Sequence, residues 1–215
     1  MSLILQQNIV PEGEIGIWHI SETEEFFLEQ LTLSQSEYAQ YIDMKKKLQL
    51  EWLASRYLLH KVSGRPIRGK LLKDSYGKPY LENSLYHISL SHSREMAAVI
   101  ASPLCCGIDI QLIVPKIERI SNKFMSKSEL DAMGSDHILH MHIVWGAKEC
   151  LYKSYGRRKL DFRKHIFIDN FNSENENGSF TGKVIKDDFN ESYKLNFQRY
   201  DDYILVYSLQ QKKDE

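Results

Sequence analysis

MKKKLQLEWLASRYLLHKVSGRP, residues 44–66, decides the fold class. Tyr41, Met44, Leu48, Trp52, Ser55, Leu59 and Val62 recur at three- and four-residue steps, the spacing of one helix face. The pattern predicts a helix that follows Ser34 and runs to about Val62, with that stripe toward a core. Lys45, Gln49, Arg56 and His60 share another face. Gly64 stops the helix and Pro66 keeps it stopped. Beyond it the period changes. Lys70–Leu81 holds a strand-like piece and a turn at Tyr76-Gly77-Lys78-Pro79, and 86–90, 96–101 and 107–112 read as strands. Upstream, Glu14–Ile20 is a strand, and Ser21 with Glu24 forms a capping-box pattern opening a helix to about Leu31. After Pro115 the segments are helical, the last from about Asp136 to Tyr155. Strand-like pieces at His165–Asp169, Phe180–Ile185, Tyr193–Gln198 and Tyr203–Leu209 close the chain, and Asn172–Ser179 reads as a polar loop. Each half is therefore a long helix followed by strands. That order predicts an α+β protein of two similar halves, 1–110 and 111–215, with the switch near Gly107–Pro115.

Composition bounds the function. The chain has 215 residues, enough for one large domain or two small ones. Hydrophobic residues at 42% and charged residues at 27% exclude a disordered or fibrous chain. Lys and Arg number 28 against 29 Asp and Glu, so a dedicated nucleic-acid binder is not expected. Cys105, Cys106 and Cys150 form no CxxC pair, which fits reduced thiols in a cytoplasmic protein. The N-terminus lacks the pattern of a signal peptide. The longest apolar stretch, near Met96–Ile110, is interrupted by Ser102, Pro103, Gly107 and Asp109, so no membrane span is expected.

Several stretches carry candidate chemistry. GRPIRGK, residues 64–70, nearly matches a phosphate-binding loop, but Leu71 stands where a Ser or Thr is needed and the segment follows a helix; it reads as a turn. His137, His140 and His142 lie close together, but only the first two share a helix face, too few for a zinc site. In GIDIQ, residues 107–111, strand alternation sends Asp109 and Gln111 one way and Ile108 and Ile110 the other. In WGAKECLYK, residues 145–153, Glu149 and Lys153 share a helix face, with Lys148 beside them. Ser91-His92-Ser93 ends a strand with donors suited to a phosphate, and Lys78 lies a short way upstream.

The order GKP, SHS, GIDIQ, WGAKECLYK resembles the 4′-phosphopantetheinyl transferase family, and in particular its larger, surfactin-type monomeric branch. The resemblance runs from about Lys45 to Leu160. It implies transfer of the phosphopantetheine arm of coenzyme A to a serine of an apo acyl or peptidyl carrier protein. Adenosine 3′,5′-bisphosphate is released and Mg2+ is required. It also implies a pseudo-dimer of two α+β halves, a coenzyme A side in the first and a metal and carrier side in the second, with the active site in the cleft between them.

Carried over residue by residue, the resemblance makes Asp109 and Glu149 metal ligands and Lys153 the diphosphate contact; the serine hydroxyl also needs a base, and Glu149, through its second oxygen or a bound water, is the candidate. Lys78, Ser91 and His92 become coenzyme A contacts, joined by Lys148 and by Lys47 and Arg56 of the long helix. The family motif reads D-x-E, and here Gln111 replaces the second carboxylate, so its amide oxygen is the expected third ligand, directly or through water. Lys116, Arg119, Lys123 and Lys127 around Phe124 and Met125 are expected to dock an acidic carrier helix. Two alternatives remain: a carrier-binding module without catalysis, and another Mg2+-dependent enzyme acting on a nucleotide diphosphate.

Overall fold

The structure is a computed structural model that describes residues 2–10, 12–131, 133 and 136–212. The fold is α+β, in two compact units, Met1–Leu104 and Cys105–Glu215. The first contains β1 (Leu3–Asn8), β2 (Glu14–His19), α1 (Glu24–Gln30), α2 (Gln35–Asp43), α3 (Lys46–Ser63), β3 (Leu71–Lys73), β4 (Pro79–Leu81), β5 (His87–Ser93) and β6 (Met96–Ser102). Its main sheet is antiparallel, in the order β1-β2-β6-β5. The second contains β7 (Cys106–Leu112), a 3-10 turn at Pro115–Ile120, α4 (Ser121–Phe124), α5 (Lys127–Asp131), α6 (His137–Tyr155), β8 (Ile166–Ile168), β9 (Asn177–Lys186), β10 (Phe189–Tyr200) and β11 (Tyr203–Gln210). Its sheet runs β7-β11-β10-β9-β8.

The units repeat one topology. A strand (β2 or β7) leads into helices that end in a long one (α3 or α6). A hairpin (β5–β6 or β10–β11) then returns, and its last strand pairs antiparallel with the first. Both long helices lie tight on the opening strand because a glycine stands there. A Cβ on Gly16 of β2 would sit 2.5 Å from Val62 Cγ2 of α3, and one on Gly107 of β7 would sit 2.1 Å from the Cys150 carbonyl oxygen of α6. Neither helix could pack as it does over a larger residue. Under α3 lies a core containing Trp18, Phe27, Leu53, Tyr57 and Leu58, with the Trp18 and Tyr57 rings edge to face at 5.2 Å. Under α6 lie Ile143, Ala147, Leu151, Leu195 and Val206. No helix among the described residues is long and apolar enough to cross a membrane.

Three local expectations fail, each for a physical reason. The helix from Ser34 to Val62 is broken at Met44, whose φ and ψ of −80° and 148° are extended. Gln49 folds back to donate to the Tyr41 carbonyl at 2.9 Å, and Glu24 gathers Lys46 and the Tyr41 hydroxyl, both at 2.7 Å. The bend turns Leu48 outward and Gln49 inward, against the stripe. The cap of α1 is Thr23 rather than Ser21, its side chain accepting from the Phe26 amide. Strand β1 escaped notice because five of its six residues are exposed, which leaves no alternation to read.

The glycine-bearing run 64–70 has a structural task. Arg68 grips Glu37 of α2 with two parallel bonds of 2.8 and 2.6 Å, and both side chains are nearly sealed from solvent. Burial pushes the Glu37 carboxyl up, but Arg68 and the Ser34 amide outweigh it and hold it at about 2. A carboxylate depressed on folding stabilises above its unfolded pKa and loses that contribution as pH falls through its folded value. Wild-type stability should therefore drop by about 3 kcal/mol between pH 5 and pH 2. Urea melts across that range check it: Glu37→Gln should flatten the slope, and an unchanged slope would show that the pair is not its source.

Candidate functional site

The site grows from one strand and one helix of the second unit. β7 pairs antiparallel with β11, Asp109 opposite Val206 and Gln111 opposite Ile204. Ile108 and Ile110 are buried on one face of β7, and Asp109 and Gln111 point to the other, the face on which α6 lies, as alternation requires. Asp109 is nonetheless buried, because α6 lies across it. Gly107 permits that approach. So does Gly146 of α6, where a Cβ would meet Val206 at 2.7 Å and the Gln111 amide nitrogen at 3.1 Å. His142, Gly146, Glu149 and Lys153 follow one another along one face of α6 at steps of four, three and four.

Lys153 donates to the Ile108 carbonyl at 2.7 Å and to Asp109 Oδ1 at 2.8 Å. Burial works to lower the Lys153 pKa, but the Asp109 charge and hydrogen bond override it, and the net shift is upward. The ammonium therefore stays charged, with a quarter of its side chain (26%) still open to solvent. Glu149, one helical turn earlier, is half-buried. Its carboxyl is pushed up to about 6, first by burial, then by the Asp109 charge, with Lys153 pulling the other way. Two carboxylates thus crowd a place that one lysine does not fully neutralise. Hard oxygen donors with surplus negative charge suit a hard divalent cation that completes its shell with water and phosphate oxygens. Among the described residues no group of three or more His, Cys, Asp or Glu side chains that could hold a metal ion converges.

The Gln111 amide oxygen, offered above to a metal, is turned away. It meets His142 Nδ1 at 2.6 Å, while Gln111 Nε2 donates to Asp109 Oδ2 at 3.1 Å and to the His142 carbonyl at 3.2 Å. His142 is the member of this group that sequence reasoning missed. The usable signal was its place on the Glu149–Lys153 face; weighing it only with His137 and His140 hid that. Those two lie elsewhere: His137 pairs with Glu118 at 3.0 Å, and His140 stacks on Phe171.

Lys148, expected at coenzyme A, is not at this site. Its side chain is fully buried and its ammonium donates to the Phe124 carbonyl (2.7 Å), Glu129 (2.8 Å) and the Phe162 carbonyl (3.0 Å). With every proton committed inside the protein, it cannot greet a ligand. Phe124 and Met125, expected as a docking anchor, are core residues beneath α6, with Phe124 edge-on to Trp145 at 5.0 Å. Lys116, Arg119, Lys123 and Lys127 are exposed.

In the first unit, Arg56, also expected at coenzyme A, is buried, its guanidinium 3.3 Å from the Trp52 ring centroid and donating to the Trp52 carbonyl. His92 Nδ1 lies 2.8 Å from Glu51 of α3. Lys47 is exposed one turn before Glu51, and Ser91 is buried on β5. Lys78 sits in the β3–β4 turn, where Asp74 accepts its amide and that of Tyr76, and Gly77 takes the φ of +92° that the turn demands.

Comparison with known proteins bears on the second unit. Residues 105–208 match the model of the 4′-phosphopantetheinyl transferase superfamily and form a domain of that kind. The match begins just before β7 and includes Asp109, Gln111, His142, Glu149 and Lys153. No curated protein matches the chain.

Proposed function

We propose that this 4′-phosphopantetheinyl transferase superfamily domain moves the phosphopantetheine arm of coenzyme A to a serine hydroxyl of an apo carrier protein. The observation that carries the reading is the Asp109–Glu149 pair, two carboxylates brought to one place with Lys153 between strand and helix. Asp109 and Glu149 hold Mg2+, whose contribution is to neutralise charge on the diphosphate oxygens. Lys153 fixes Asp109 Oδ1 and adds its own positive charge beside the diphosphate. The serine oxygen forms a bond to the phosphorus that bears pantetheine. The bond from that phosphorus to the bridging oxygen breaks, and adenosine 3′,5′-bisphosphate leaves. Its terminal phosphate has a second pKa of about 6 and so needs little help from an acid. Glu149 accepts the serine proton through its second oxygen.

Lys47, Lys78, Ser91 and His92 of the first unit contact coenzyme A in this reading; the buried Arg56 and Lys148 do not. The exposed lysines and arginine at 116–127 attract an acidic carrier by charge, without Phe124 or Met125. The test is incubation with coenzyme A, Mg2+ and a panel of apo carriers, read as mass gain on the carrier and release of the bisphosphate. Both should appear together. Release without carrier would make the protein a hydrolase, and carrier binding with neither product would make it a binding module.

A further inference from the structure

Gln111 stands where the family pattern has a carboxylate, and the atoms around it permit one arrangement of protons. Its Nε2 faces two oxygens that can only accept, Asp109 Oδ2 at 3.1 Å and the His142 carbonyl at 3.2 Å. The NH2 group must therefore lie there, because an amide oxygen would face two acceptors. The amide oxygen is then fixed toward His142 Nδ1 at 2.6 Å, and that nitrogen must carry the hydrogen. His142 Nε2 lies 2.9 Å from the Val114 backbone N–H and 3.1 Å from the Val114 carbonyl oxygen; with the hydrogen on Nδ1, the neutral ring accepts from the N–H. The chain of bonds runs from Val114 through His142 and Gln111 to Asp109, and each member has a donor and an acceptor in the right place. Lys153 holds the other oxygen of the same carboxylate. Gly146 leaves the room that the Gln111 amide occupies.

We propose that Gln111 is a positioning residue and not a metal ligand: His142 locks its amide, which holds Asp109 in place from the side opposite Lys153, so that the cation is bound by two carboxylates alone. The proposal rests on the reading that Asp109 and Glu149 hold the ion. It assigns His142 a part in the site that its distance along the chain conceals. It also explains how a neutral residue serves there. A carboxylate at 111 would press against Asp109 Oδ2 and the His142 carbonyl with no proton to offer until a cation arrived.

The test is a double-mutant cycle on Mn2+ affinity, read by electron paramagnetic resonance on the full chain with coenzyme A present. Gln111→Ala and His142→Phe should each weaken Mn2+ binding by about tenfold, the usual scale for residues that orient a ligand. Because both act through one hydrogen bond to Asp109, the double variant should be no weaker than about either single. His142→Gln, which keeps an N–H donor, should recover part of the loss. A His142→Phe protein with unchanged affinity, beside a weakened Gln111→Ala, would make the amide oxygen a ligand and overturn the proposal. Additive losses, or an unaffected Gln111→Ala, would overturn it equally. Wild-type protein that binds no Mn2+ would remove the metal reading itself. Should His142→Phe fail to fold, Gln111→Glu decides: its melting temperature should fall without metal and rise on adding Mn2+ by more than that of the wild type. A metal-free melting temperature equal to the wild type's would sink the proposal.

Discussion

Asp109→Ala and Glu149→Ala should each lower carrier loading by at least about 100-fold, a barrier increase of about 2.7 kcal/mol. Removing Asp109 strips Lys153 and Gln111 of their shared partner and leaves one carboxylate of the pair proposed to hold the cation. In the proposed mechanism Glu149 is both the second ligand and the proton acceptor, so its removal takes away both. A loss of this size could also come from a damaged fold, and Glu149→Gln separates the two. The Glu149 carboxyl is raised to about 6 by burial and by Asp109. For an acid raised on folding, the native state prefers the protonated form, so stability is lost as pH climbs from the unfolded pKa through the folded one. Above pH 6 the metal-free wild type bears that loss, on the order of 2 kcal/mol, and Glu149→Gln does not. Glu149→Gln should therefore be inactive in carrier loading yet melt at or above the wild type without metal. A destabilised Glu149→Gln protein would mark this glutamate as a support of the fold, and near-normal loading by either alanine variant would end its role and that of Asp109 in the chemistry.

The same residues show what a sequence can and cannot disclose. Strand alternation and the four-residue step of a helix suffice to aim Asp109, Glu149 and Lys153, because those rules hold within a single element. That β7 and α6 meet at all depends on contact between them, yet even this leaves a trace in Gly107, which has no side chain where the helix backbone descends. The repeat of topology allows the two opening strands to be compared position by position. Two residues after the contact glycine, β7 carries Asp109, whereas β2 carries Trp18, which packs on Tyr57 and donates to Glu22. Position within an element fails as a guide once a helix is covered on more than one side. Lys148 looks solvated beside Glu149, but the α6 face it shares with Met141 and Val144 is buried beneath 117–125. Phe124 and Met125 were misplaced for the same reason, since a short helix flanked by lysines looks like a rim until the core under it is known. Gln111 and His142 lie 31 residues apart, and no local rule joins them.

The second large effect falls on stability. Lys148→Ala should destabilise the second unit by about 3–5 kcal/mol, a large share of the roughly 5–15 kcal/mol that holds a domain folded. The ammonium is sealed from solvent and bonds to three acceptors: the end of α4 at Phe124, the α5 carboxylate of Glu129, and the Phe162 carbonyl beyond α6. Burial lowers the Lys148 pKa, and Glu129 opposes that shift. Deleting the lysine leaves a nearly buried carboxylate without its cation and two carbonyls without a donor, and an uncompensated buried charge is what makes such deletions costly. Lys148→Met fills the volume but not the bonds, so it should fall between alanine and wild type. Adding Glu129→Gln to Lys148→Met removes the stranded charge and should recover part of the loss, even though two native partners are then missing. That non-additivity, read from denaturant melts of wild type, Lys148→Met, Glu129→Gln and the double variant, separates a buried ion pair from mere packing. The consequence for function is indirect. The pair fastens the segment that carries Lys123 and Lys127, so Lys148→Met should raise the carrier KM while leaving the affinity for coenzyme A unchanged. Equal melting of Lys148→Ala and wild type would mean that the three bonds carry no net stability, and the assignment of Lys148 to the fold rather than to the ligand would fall with them.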